Sequence, residues 1–252
     1  MTENSPIALV TGANQGIGLQ IATDLATRGL TVLLASRNLD RGKAAAQTIR
    51  GDVRPIQLDV TDQASIQAAV MQVEQQFGRL DILINNAAIS RANGEDSETM
   101  EHYIRRSRAT LIPLDEVRTI WETNVFGVLA VTQAFVPLLR KSEAARIVNV
   151  SSNLGSLSLL TPANPYRSTF NPGYGASKTA LNAITMAFAI DLEAEGIKVN
   201  AVTPGFTATA LNNYEGTETV QQGAAEAVRV ALLGKEGPTG TFTGSVNQSQ
   251  PW

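Results

Sequence analysis

A single-domain, doubly wound α/β sheet is the fold this sequence predicts, and three observations predict it. Short runs rich in Val, Ile and Leu alternate with stretches of helical period along the chain. A glycine-rich turn joins the first such run to the first helical stretch. No Pro/Gly/Ser linker, repeat or low-complexity tract divides the 252 residues, so one domain spanning 1–252 is expected. A content of 43% hydrophobic and 17% charged residues suits a packed globular chain.

The strands are expected at 7–11, 31–35, 53–58, 81–85, 146–151 and 197–203. Each is a nearly continuous apolar run, as parallel strands covered on both faces require. The clearest helix starts near Asp62, where Ile66, Ala69, Val70, Val73 and Phe77 follow the helical period and Gly78 stops it. Strand–helix alternation of this kind implies right-handed crossovers. Two stretches break the rhythm. Residues 90–115 are polar, with Arg91, Arg105, Arg106, Arg108 and the sole histidine, His102. Residues 154–173 hold three Pro and two Asn. Connections of this length in a domain are usually functional, and both are expected to wall a substrate cleft.

Composition excludes several classes. The absence of Cys rules out disulfides and thiolate metal sites, and no metal is expected. A net charge of -3 gives no basic footprint for nucleic acid. No uninterrupted apolar run approaches the roughly 18 residues that span a bilayer, and residues 1–6 lack a secretory pattern. A soluble, cytoplasmic protein without membrane contact is the expectation.

The turn after the first strand reads Thr11-Gly12-Ala13-Asn14-Gln15-Gly16-Ile17-Gly18. Such a turn lets the backbone approach a pyrophosphate, while the following helix presents unpaired N–H groups to it. The second strand ends in Ala35-Ser36-Arg37-Asn38. An NAD site wants a carboxylate there, and an NADP site wants a cation and no carboxylate. Ser36 can bond a phosphate and Arg37 can pair with it bidentately, so NADP(H) is preferred and NAD(H) stays possible. Asp59 and Val60 follow the third strand, and Asn86 and Ala87 the fourth. These ends converge where open α/β sheets bind ligands.

A second constellation lies farther along. Tyr174 and Lys178 are one helical turn apart. An ammonium beside a phenol lowers its pKa from about 10 and readies it for proton transfer near neutral pH. The strand at 146–151 ends in hydroxyls, Ser151 and Ser152, able to bond a carbonyl oxygen. Asn124 sits in an otherwise apolar helical stretch and needs partners. Bound water or the surroundings of Lys178 are the expected ones.

The joint pattern T-G-x-x-x-G-I-G, N-N-A, an intrahelical Asn, Ser at a strand end, Y-x-x-x-K and Pro204-Gly205 resembles the short-chain dehydrogenase/reductase family across essentially the whole chain. The Ala-Ser-Arg-Asn turn and the segment from Pro204 look more specifically like its carbonyl reductase-type members. The resemblance implies a Rossmann-type sheet and reversible reduction of a small-molecule ketone or aldehyde. In that reading Tyr174 is the general acid/base and Lys178 binds the nicotinamide ribose and lowers the Tyr174 pKa. Ser152 holds the substrate oxygen, and Asn124 positions a water in a relay through Lys178. Gly12, Asn14, Gln15, Gly16, Ile17 and Gly18 line the pyrophosphate turn. Ser36 and Arg37 read the 2′-phosphate, Asp59 and Val60 the adenine, and Asn86 and Ala87 the adenosine ribose region. Pro204, Gly205 and Thr207 close over the nicotinamide. Gln15 departs from the pattern, because many NADP-dependent members carry Lys or Arg there. Two alternatives keep the fold: an NAD-dependent alcohol dehydrogenase and a non-catalytic dinucleotide-binding protein.

The stretch 117–139 and the helix after Lys178 carry more apolar residues than one packing stripe needs. Burial of their outer faces in a homo-oligomer, dimer or tetramer, is expected.

Overall fold

The computed structural model describes residues 5–92 and 99–252. Its first half contains β1 (Ile7–Val10), α1 (Gly16–Thr27), β2 (Thr31–Ser36), α2 (Leu39–Ala46), β3 (Val53–Gln57), α3 (Gln63–Phe77) and β4 (Ile82–Asn85). Next come α4 (Met100–Arg106), α5 (Leu114–Trp121), α6 (Gly127–Leu139), β5 (Arg146–Val150) and α7 (Tyr174–Asp191). The chain closes with β6 (Lys198–Val202), α8 (Val220–Ala231), β7 (Phe242–Gly244) and β8 (Gln248–Ser249). The sheet order is β3-β2-β1-β4-β5-β6-β7-β8. All pairs are parallel except β7 with β8. The doubly wound sheet is therefore as expected. Its last two strands were not foreseen, because runs of three and two residues are too short to show a period.

Alternation along each strand sends neighbouring side chains to opposite faces, and this builds two cores. Leu9, Leu33, Leu83, Ile147 and Val199 pack with α3, α6 and the C-terminal part of α7 on one face. Ala8, Val10, Leu34, Ile84 and Val148 pack with α1 and α8 on the other. The α3 boundaries follow local chemistry. The Asp62 carboxylate caps the Ala64 N–H, and Gly78 ends the helix at φ +72°. Caps of this kind contribute about 1 kcal/mol.

The long helix from 114 to 139 is continuous but not uniform. Between α5 and α6 it makes one π turn at Glu122–Phe126, where the Gly127 N–H bonds the Glu122 carbonyl. By length and composition alone, Leu114–Leu139 could cross a membrane; 56% of its most apolar window is buried within the protein, as in a core helix. A search for uninterrupted apolar runs passes over it because charged residues punctuate its start. Most of the apolar side chains of this helix are covered by the chain itself. Ile120, Val125, Val128, Val131, Phe135, Val136 and Leu138 are buried within the chain, Trp121 and Leu129 are half-buried, and Leu114 and Phe126 are exposed. On α7 the exposed apolar side chain is Ile190.

The two irregular segments acquire structure. The polar stretch contains α4, and residues 93–98 within it, like residues 1–4, lie outside the described residues. The stretch before α7 folds into three 3-10 turns, Asn153–Gly155, Leu157–Leu159 and Pro165–Ser168. The order of strands reverses at β1, so β2 and β4 leave it on opposite sides and open a crevice at the carboxyl edge.

Candidate active site

The crevice is a cavity of about 1200 Å³ along the carboxyl edge of the sheet. At one end lies the glycine-rich turn. Gly12 (φ +62°) needs the left-handed region, and a Cβ there would stand 2.9 Å from the Ala87 Cα. A Cβ on Gly18 would meet the Asn86 amide nitrogen at 2.4 Å. The turn is thus pressed onto the end of β4. Asn86 holds it by donating to the Thr11 carbonyl at 2.9 Å, while Thr11 Oγ1 accepts from the N–H groups of Asn86 and Ala87, both at 3.0 Å. Gln15 precedes α1 without a side-chain cap, and the first helical bond runs from Leu19 N to Gln15 O. The N–H groups of Gly16, Ile17 and Gly18 therefore have no helical partner, and all three residues line the cavity. This cradle fits a dinucleotide pyrophosphate.

Asn14, Ser36, Arg37 and Val60 also line this end. Ser36 is buried and donates to Asn14 Oδ1 at 3.3 Å, so its hydroxyl first serves the turn. Arg37 is exposed at the rim. Arg41, which the sequence reading did not single out, lines the cavity with it. Its position in the first turn of α2 is fixed by Asn38 Oδ1, which accepts from the Arg41 N–H at 3.0 Å. A cation four residues beyond Arg37 was the available signal. Asp59 is not among the lining residues. Its carboxylate closes its own turn, accepting from the Thr61 N–H at 2.9 Å and the Thr61 hydroxyl at 2.7 Å.

At the other end the structure brings Tyr174, Lys178 and Ser152 to one wall. The two serines ending β5 part ways. Ser151 is buried and donates to Asn182 Oδ1 at 2.6 Å, whereas Ser152 Oγ accepts from the Leu154 N–H at 3.2 Å and faces the Tyr174 phenol. Pro204, Gly205 and Thr207 complete this wall, with Thr207 Oγ1 donating to the Pro204 carbonyl at 2.9 Å.

One expectation is corrected here. The Tyr174 phenol is pushed up to about 12, not down, because burial disfavours phenolate more than the facing Ser152 hydroxyl favours it. The Lys178 ammonium offers little help in this state. It is 2% exposed, its pKa is lowered to about 7 by burial, and its Nζ donates to the Val150 carbonyl at 2.8 Å. Nζ lies 5.6 Å from the centre of the Tyr174 ring. The Asn124 side chain does not line the cavity, and one of its partners comes from the surroundings of Lys178, as expected. It accepts from Ile89 N at 2.9 Å, donates to Ile89 O at 2.8 Å and donates to Ser177 Oγ at 3.0 Å. The π turn around it loosens the backbone hydrogen-bond ladder, as such turns do near functional sites.

A parallel doubly wound sheet with this cradle at one end of a cavity and a Tyr–Ser–Lys wall at the other defines a nicotinamide-dependent oxidoreductase. The chain belongs to the short chain dehydrogenase family, whose pattern matches residues 6–220. It is 37% identical over 239 residues to the short-chain dehydrogenase anuI of Penicillium roqueforti, covering 91% of this chain and 89% of that one. Among solved structures it resembles salutaridine reductase from Papaver somniferum, at 29% identity and a TM-score of 0.78, covering 94% and 99% of the two chains. A gluconate 5-dehydrogenase from Burkholderia cenocepacia, solved with NADP and tartrate, matches at 25% identity and a TM-score of 0.78, covering 96% and 93%.

Proposed function

We propose that the protein is an NADP(H)-dependent reductase of a ketone or aldehyde, reversible, with Tyr174 as proton donor. The observation that carries this is one cavity joining Arg37 and Arg41 to the Tyr174–Ser152 pair. No carboxylate stands at the end of β2 to hold a ribose hydroxyl, whereas two guanidinium groups stand ready for a phosphate. The NADP held by the related gluconate 5-dehydrogenase supports the same choice.

When bound, the reduced nicotinamide supplies the hydride that turns a carbonyl into an alcohol. The chain supplies the rest. Ser152 donates to the carbonyl oxygen and stabilises charge developing on it. Tyr174 is a neutral phenol at pH 7, the form that gives up a proton in reduction. Lys178 lines the cavity beside the phenol, its Nζ 5.6 Å from the centre of the Tyr174 ring, and an anionic group of a bound dinucleotide would favour its ammonium form. A charged Lys178 then draws the Tyr174 proton equilibrium toward neutral pH.

The substrate end is mainly apolar, with Met100, Ile104, Leu154, Phe206 and Leu211 in its walls. That lining suits a bulky, largely apolar ketone. The assembly proposed is a homo-oligomer seated on the outer sides of the 114–139 helix and α7, where Phe126 and Ile190 are exposed. A lone species near 26.8 kDa in light scattering contradicts that assembly. The catalytic reading is tested by following NADPH consumption over a panel of cyclic ketones. NADPH binding with no consumption across the panel sinks it in favour of a binding protein.

A further inference from the structure

The substrate wall built by α4 has its own anchor, and that anchor reaches the helix carrying Tyr174. Glu116, in the first turn of α5, is fully buried. One of its carboxylate oxygens lies 2.5 Å from Nη1 of Arg106, the last residue of α4. The other faces the Ala92 N–H at 3.4 Å. The Arg106 guanidinium stands 5.3 Å from the centre of the Tyr103 ring. Tyr103 is 4% exposed, donates its hydroxyl hydrogen to the Ser90 carbonyl and has Asn171 beside its hydroxyl. Asn171 Oδ1 in turn accepts from the Tyr174 N–H at 2.8 Å, at the start of α7. Carboxylate, guanidinium, phenol and amide thus form one chain of contacts from α5 through α4 to the catalytic helix.

Three residues of α4, Met100, Tyr103 and Ile104, line the cavity; Arg106 and Glu116 do not. A seven-residue helix does not hold itself in water, so the place of this wall is set by what ties it down. Two other ties join this wall to the segment 211–215. The Met100 N–H reaches Glu215 at 3.2 Å, and Ser90 Oγ donates to the Leu211 carbonyl at 2.8 Å. In the Glu116–Arg106 pair the carboxylate is fully buried and the guanidinium half-buried. Loss of one partner would strand a charge, which buried sites punish heavily.

We infer that Glu116 and Arg106 are positioning residues that fix Tyr103 and α4 against the cavity and so set selectivity for bulky carbonyl substrates. This rests on the cavity being the site of carbonyl reduction. A bulky ketone packs on the wall and gains from its rigidity, because ordering the wall on binding costs affinity. A small ketone held at Ser152 and Tyr174 does not touch it.

The test uses the double variant Arg106→Gln/Glu116→Gln, which removes both charges and strands neither. Amide exchange in 100–107 is expected to quicken at least about tenfold, with exchange in the sheet unchanged. KM for a bulky cyclic ketone should rise about tenfold with kcat within threefold, while KM for a small acyclic ketone and Kd for NADPH stay within about twofold. Arg106→Lys, which keeps the charge, should restore most of the bulky-ketone KM. Unchanged exchange in 100–107 overturns the inference, as does an equal rise in KM for small and bulky ketones. Should the double variant fail to fold, Tyr103→Phe removes the hydroxyl and keeps the ring. The same KM split, smaller in size, is then expected, and its absence overturns the inference. The exchange result stands apart from turnover, so failure of the parent to reduce any ketone would count against the reaction and not against the anchor.

Discussion

The two ends of the cavity are built in different ways. The dinucleotide end consists of short turns at strand ends, with Gly12 and Gly18 pressed onto Asn86 and Ala87 at van der Waals limits. Its shape follows from backbone geometry and leaves almost no freedom. The substrate end is made of longer segments held by side chains: Arg106 on Glu116, Tyr103 on Ser90, and Asn171 on the Tyr174 N–H. The difference teaches where variation is tolerated. A backbone-built end binds one ligand class, while a side-chain-built end can be retuned without disturbing the sheet. The proposed chemistry draws on Ser152, Tyr174 and Lys178, which share one wall of the cavity.

The sharpest way to break this division is at that wall. Tyr174→Phe removes the proton donor but leaves the cradle intact. Turnover should fall by about 10²–10⁴, the usual contribution of a positioned acid, while NADPH affinity stays within a few-fold. Retention of turnover within tenfold of the parent would remove Tyr174 from the acid role. An equal collapse of NADPH binding would show that the two ends are not separable.

A smaller effect is expected from recoding the far end. Ser36→Asp with Arg37→Ile replaces attraction for a phosphate with repulsion and offers an acceptor for a ribose hydroxyl. Losing a charged hydrogen bond costs about 1.5–3 kcal/mol, so the NADPH/NADH preference should shift at least tenfold toward NADH. An unchanged ratio would place the reading on Arg41 alone. The selectivity for bulky over small ketones should stay as it was.

The smallest effect is on stability. The Lys178 pKa is depressed to about 7 in the folded protein, against an ordinary 10.5. Between those values the unfolded chain holds a proton that the folded one does not, so stability rises with pH there. The penalty is full below about pH 7 and is relieved toward 10.5. The Tyr174 shift works in the opposite sense and takes hold above pH 10. Cofactor-free Lys178→Met should therefore show a shallower rise in denaturant stability from pH 7 to 9 than the parent. The difference in slope is at most about 1.4 kcal/mol per pH unit. Identical slopes would mean that the Lys178 ammonium is not desolvated.

Most of the fold could be read from the chain because period and turn chemistry are local. Asp62 and Gly78 bound α3 where the pattern put them, and the first six strands fell within about two residues of their expected ends. Lining positions along the strand ends were legible for the same reason. What was hidden depends on direction and depth. Nothing in the sequence tells that Asp59 turns back on Thr61, or that Asn124 meets both backbone groups of Ile89. The sign of the Tyr174 shift was missed because spacing shows that Lys178 is near but not that both groups leave water. The anchor of α4 joins residues ten apart through a fold that no period predicts.

In the proposed reaction, hydride and proton reach a carbonyl held at Ser152 and Tyr174. The most direct measurement incubates the protein with a cyclic ketone and NADPH deuterated at the transferring carbon of the nicotinamide, and examines the alcohol by mass spectrometry. One deuterium at the carbinol carbon, formed from NADPH faster than from equally labelled NADH and lost in Tyr174→Phe, is the predicted result. Tight NADPH binding with no labelled alcohol from any ketone, or transfer undiminished without the Tyr174 hydroxyl, would contradict the account.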